Sequence, residues 1–159
     1  MKSGGIQTFR EAVASAPEPV ASAWQPGLQA LGSDSHRVRC SDTRRLTGSI
    51  ALDETLRESY PEEPRWDYGI GLRRSEQEVA IWVEVHPART GEVDSVLNKL
   101  RWLKSWLAHS APSLNAITPH AESPFYWVAS GEVHISRNSP QARRLAVNGV
   151  HYPVRILEL

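Results

Sequence analysis

Between Trp66 and His86 the chain reads WDYGIGLRRSEQEVAIWVEVH, two apolar alternating runs around a polar middle. Strand side chains alternate between faces, so a slip of one residue would move every apolar side chain to the other face. A turn centred on Ser75-Glu76 sets Leu72 opposite Val79, Ile70 opposite Ile81, Tyr68 opposite Val83 and Trp66 opposite Val85. An odd-length turn destroys all four matches. The spacing therefore predicts a hairpin of strands at 66–73 and 78–86. On its other face Gly71 meets Ala80, Arg73 meets Glu78, and Gly69 meets Trp82, the glycines leaving room for the indole. The last pair on that face is Asp67 opposite Glu84.

The segment after the hairpin carries the clearest helical signal. Val93, Val96, Leu97, Leu100, Leu103 and Leu107 recur at three- and four-residue spacing and make one apolar stripe. Thr90-Gly91 opens the helix, Glu92 and Asp94 lie at its positive end, and His109 lies at its negative end. Upstream, residues 1–33 are broken by Pro17, Pro19 and Pro26 and read as an N-terminal helical arm with pieces at 7–15 and 20–31. Short strands are expected at 36–40 and 46–52, with a helical turn or two at 53–60. Residues 110–124 read as a connection with room for a strand at Leu114–Thr118. Residues 125–136 are strand-forming, with Ser130-Gly131 either a turn or a bulge. Ser139-Pro140 and Asn148-Gly149 bracket a helix at 140–147, and 150–159 closes the chain as an edge strand containing Pro153. The order predicts an α/β (α+β) fold: one layered domain over 34–159, with a mixed central sheet and flanking helices.

A chain of 159 residues suits one domain with a real core, and 40% hydrophobic with 23% charged residues is ordinary for a globular protein. No apolar run approaches the roughly 20 residues of a membrane span, and no signal peptide is expected. The single cysteine, Cys40, fits a reducing cytoplasm and reads as a small strand or core residue. Net charge is zero, which argues against a sequence-independent nucleic-acid coat but leaves room for a local basic groove.

Like charges directly opposite on a hairpin destabilise it. Asp67 and Glu84 coexist if a cation lies between them, or if one is protonated. With His86 on the same face, the set suits a hard metal ion bound by carboxylate oxygens. The plainer reading is that both carboxylates flank the sheet end in water or pair with Arg65 and other arginines.

At these residues the chain resembles the PD-(D/E)XK nuclease-like superfamily. Its members carry an aspartate on one strand of a core hairpin and Glu-x-Lys on the next, followed by a helix and another strand. Here WDYGI supplies Asp67, VEVHPA supplies Glu84-Val85-His86, and the similarity extends over about residues 65–135. The resemblance implies a restriction-endonuclease-like fold and a metal-dependent nucleic-acid phosphodiester hydrolase. Asp67, Glu84 and the Val85 carbonyl would hold Mg²⁺ or Mn²⁺, with Asp53 or Glu58 as a further contact. The pattern departs at His86, which stands where the family has lysine. Some members recruit that lysine from the following helix, and Lys99, beside the apolar stripe, is placed for it; its plainer reading is a surface lysine lying along the helix. The catalytic set is thus Asp67, Glu84, His86 and Lys99. Arg73, Arg74, Arg101 and Lys104 would track the backbone of a nucleic acid, DNA ahead of RNA. The alternative is a non-catalytic member of the same fold acting as a protein-interaction or accessory nucleic-acid-binding subunit, with some of the six tryptophans as exposed anchors.

Overall fold

In the computed structural model, which describes residues 7–159, the hairpin pairs Tyr68 with Val83, Ile70 with Ile81, Leu72 with Val79 and Arg73 with Glu78. This is the register that the apolar alternation demands. Ser75 turns the chain with a left-handed φ of 55°.

In chain order the elements are α1 (Phe9–Ala14), β1 (Val38–Arg39), β2 (Leu46–Ala51), α2 (Leu52–Thr55), β3 (Tyr68–Arg74), β4 (Gln77–Arg89), α3 (Val93–Ser110), α4 (Pro112–Ala116), β5 (Phe125–His134), α5 (Pro140–Val147) and β6 (Leu157–Glu158). The main sheet has the order β2–β3–β4–β5. Its first two pairings are antiparallel, and β4–β5 is parallel because α3 carries the chain back between them. The result is a single mixed α/β domain with helices flanking a mixed sheet.

Both faces of the sheet are covered. Ile70, Leu72, Val79, Ile81, Val83 and Val128 pack on one side against Leu31, Val38 and Leu157, the last two from the small parallel β1–β6 sheet. On the other side Ala80, Trp82, Trp127 and Ala129 meet α1 and the α3 stripe, every residue of which is buried. The glycines of β3 make this second face possible. A Cβ on Gly69 would lie 2.7 Å from the Trp82 ring, and one on Gly71 would lie 2.4 Å from the Phe9 ring. The N-terminal segment is therefore part of the core: α1, closed by a Thr8–Glu11 capping box, buries Phe9, Ala12 and Val13 completely. The second N-terminal helical piece is replaced by 3-10 turns at Val20–Ser22 and Gln29–Arg37, the latter kinked at Gly32.

Several further sequence expectations need correction. Trp66 does not face Val85 across a ladder. The strand starts only at Tyr68, after an irregular approach containing Pro61 and Pro64, and Trp66 turns into the α3 side of the core against Phe125. Residues 114–118 are no strand: Pro112 starts the short helix α4, which buries Leu114, and just beyond it the Ile117 carbonyl accepts from the β4 amide of Ala80. The C-terminal edge strand is reduced to β6 and two isolated bridges, Val150 to Phe125 and Val154 to Val128, on either side of Pro153. Ser130-Gly131 lies in a register shift between His86–Ala129 and Ala88–Val133, so the bulge is realised and the hairpin turn is not. None of the six tryptophans is an exposed anchor. Trp66, Trp82, Trp106 and Trp127 are buried, while Trp24 and Trp102 are half-buried against the core.

Candidate functional site

Strand β4 continues past the last hairpin pair and carries Glu84 on the α3 side, fully buried at 0% exposure. Asp67 stands one residue before β3 and keeps the cross-strand relation through side chains. Its backbone N–H donates to Glu84 Oε1 at 3.2 Å, and its Oδ2 accepts from the Val85 N–H at 2.9 Å. The expected carboxylate pair is therefore assembled, although the ladder itself has ended.

A buried carboxylate needs a compensating partner. Lys99 provides it from α3, with Nζ 2.5 Å from Glu84 Oε2. Lys99 lies on the helix just before Leu100 and one turn before Leu103, so its stem runs beside the buried stripe and brings the ammonium under the sheet. Burial opposes charge on Lys99, but the neighbouring carboxylates of Glu84 and Asp67 outweigh it and raise its pKa. For Asp67, burial first and the Glu84 charge second push the carboxyl up to about 7, against the pull of Lys99 and of the Val85 N–H. The two facing carboxylates are thus reconciled by a cation on Glu84 and by burial that makes Asp67 hard to ionise.

His86, at the position where the resemblance expects lysine, is clamped between two acids. Nδ1 lies 3.4 Å from Glu84 Oε2 and Nε2 lies 2.8 Å from Glu92 Oε2. The hydrogen bond to Glu84 and, against burial, that to Glu92 raise the imidazole pKa. The strand carbonyl of His86 accepts from the Trp127 indole at 3.0 Å. Glu92 was legible only as a favourable charge at the start of a helix. Its reach back to His86 depends on the 3-10 turn Thr90–Glu92, which no periodicity announces.

Asp67 lines a small polar recess of about 120 Å³ with Ala51, Asp53, Glu54, Arg57 and Tyr68. Asp53 reaches the recess from α2, where Arg65 holds its Oδ1 at 3.1 Å. Glu58 is exposed and does not line it. The basic residues expected to track a nucleic acid lie elsewhere. Arg73 and Arg74 pair with Glu78 and Glu122 at the hairpin turn, six and seven residues from Asp67 and so about 20 Å along the strand. Arg101 is exposed and donates to Asn98 on its own helix, and Lys104 rests over the Phe125 ring. Arg57, which sequence periodicity did not single out, is the arginine the fold brings to the recess.

The donors suit a hard divalent cation in kind, and Asp67 Oδ1 accepts no hydrogen bond from a described residue. They are few. Among the described residues no group of three or more His, Cys, Asp or Glu side chains is disposed around one point, so the Val85 carbonyl and water would complete the set. Glu84 already accepts from the Asp67 N–H and from Lys99, and its Oε2 lies 3.4 Å from His86 Nδ1, so few of its roughly four lone-pair positions remain open.

Comparison of the chain with protein-family models, with curated proteins and with solved structures finds no match in any of the three. No described helix is long and apolar enough to cross a membrane.

Proposed function

We propose that this chain is a Mg²⁺- or Mn²⁺-dependent phosphodiester hydrolase of nucleic acid, DNA ahead of RNA, built on a restriction-endonuclease-like core. One observation carries the reading: Lys99 Nζ meets Glu84 Oε2 at 2.5 Å beside Asp67. A helix lysine thus joins a carboxylate pair on a hairpin whose strand position is occupied by histidine. The reading is also supported by the order of an antiparallel hairpin, the helix α3 and a further strand, which is the order the resemblance implies.

Asp67, Glu84 and the Val85 carbonyl would hold the cation. When bound, it supplies Lewis-acid stabilisation of charge on the phosphoryl group. Lys99 brings a charge that persists at neutral pH, because its carboxylate neighbours raise its pKa, and from its seat on Glu84 this charge can orient a water. His86 acts through Glu84 rather than on substrate. With both nitrogens engaged by acids, it fixes the orientation of the Glu84 carboxylate.

Cleavage of labelled single- and double-stranded DNA and RNA, with Mg²⁺, Mn²⁺ or EDTA, tests the reading. The expected result is metal-dependent cleavage that Asp67→Asn and Glu84→Gln abolish. Lys99→Ala should lower it on the order of 100-fold, and His86→Ala about 10-fold. Absence of cleavage with every substrate and metal would sink it. The second reading, a non-catalytic module of the same fold, is favoured by the zero net charge and by the scattering of Arg73, Arg74, Arg101 and Lys104 away from the carboxylates.

A further inference from the structure

Three of the side chains around the recess are acidic: Asp53, Glu54 and Asp67. A phosphodiester approaching it meets repulsion unless a mobile cation offsets that charge. Lys99 is committed to Glu84, and Arg65 is committed to Asp53 and to the Tyr60 carbonyl, with its side chain only 11% exposed. Arg57 is different. It lines the recess, its side chain is 65% exposed, and its nearest acid, Asp53 Oδ2, is 3.8 Å away, beyond hydrogen-bond distance. Such a loose surface pair contributes little to stability, so exchanging it for a bidentate contact to phosphate costs little. The recess is also too small for a nucleoside, which leaves the sugar–phosphate backbone as the part of a nucleic acid that it can receive.

We infer that Arg57 is the substrate-binding arginine of this site and grips a backbone phosphate at the mouth of the recess. The inference rests on the phosphodiesterase reading for the identity of the ligand. A phosphate contact positions a nucleic acid without reading its sequence and adds about one unit to the salt dependence of binding.

The test is fluorescence anisotropy with a short fluorescein-labelled DNA duplex and its single strand, in Ca²⁺ and over a series of salt concentrations, with cleavage in Mg²⁺ followed in parallel. Arg57→Ala should raise Kd about five- to tenfold for duplexes of unrelated sequence and reduce the salt slope by about one. Arg57→Lys should restore the slope but only part of the affinity, since lysine keeps the charge and loses the fork. Arg155→Ala, on the exposed C-terminal segment, serves as the control and should match wild type. Thermal melts establish that each variant is folded. Unchanged Kd and slope in Arg57→Ala would overturn the inference, as would failure of the wild type to bind either probe. Cleavage by wild type with normal binding by Arg57→Ala would leave the hydrolase reading standing and remove this one. Binding that Arg57→Ala weakens, without cleavage in any metal, would do the reverse.

Discussion

Asp67 is held where burial and a neighbouring carboxylate both resist its ionisation, and this fixes how stability responds to pH. Its pKa of about 7 in the folded chain lies above the unfolded value near 3.9. Between those values the folded state binds more protons than the unfolded state. The stabilisation from the neutral acid is complete below pH 4, is lost progressively as pH rises to 7, and stays lost above. Asp67→Asn retains an oxygen for the Val85 N–H and carries no charge. It should therefore raise the metal-free melting stability at pH 8 by roughly 1–3 kcal/mol, with the gain shrinking toward zero near pH 4. A destabilised variant at pH 8 would contradict the burial of that charge. His86 shifts upward as well, so what its charged form contributes is present at acid pH and fades as pH passes the raised value. Titration of the His86 ring by NMR should give a pKa above the ordinary 6.5, and Glu92→Gln should bring it down. An unmoved titration would mean that the 2.8 Å contact is not made in solution. At this scale the sequence disclosed those residues whose position follows from alternation. Asp67 and Glu84 were set facing by strand parity alone, whereas Lys99 was marked by the resemblance, which implies a lysine on the following helix. Glu92 and Arg57 sit on turns, where no period says which way a side chain points.

At the level of elements, the hairpin and α3 were legible because each buries a continuous apolar face, and only one register or one helical phase does so. Elements with less to bury were read less well. Pro112 helped make a helix of a segment that looked extended, and Pro153 interrupted a segment that looked like a strand. The glycine of β3 that faces α1 gives a direct test of close packing. Gly71→Ala would put a methyl group 2.4 Å from both the Phe9 ring and Thr47 Oγ1, so the chain or the helix must shift. The expected cost is roughly 1–3 kcal/mol, the range for overpacking a filled core. Denaturant melts of this variant should show a lower midpoint with an unchanged slope. A neutral effect would mean that α1 is not seated on the hairpin.

For the whole molecule, the N-terminal segment matters more than its proline-broken composition suggested. Phe9 is fully buried between the sheet and its own helix, and Glu78 of β4 accepts the Phe9 backbone N–H at 2.9 Å. Phe9→Ala should cost about 3–5 kcal/mol, and in a chain of this size the melting temperature should fall by roughly 10 °C. A fall of only a degree or two would make the segment a dispensable appendage. The overall architecture followed from the order of elements, since a helix between two strands of one sheet implies a parallel pairing. The covering of the sheet face opposite α3 by the segment at 29–37 and by β1–β6 did not, because short 3-10 turns and two-residue strands leave no repeating pattern.

Glu84 arrives on a strand and Lys99 on a helix, so their contact exists only when those two elements are seated on each other. It is a witness to docking as distinct from secondary structure. In an expanded acid state that retains its helices but has lost fixed packing, the far-UV signal would persist while the ammonium and the carboxylate drift apart. The Mn²⁺ binding and hydrolysis that we propose should then disappear together with the near-UV signal of the buried tryptophans and well before helicity does. The site thus doubles as a gauge of whether the two layers of the protein have come together.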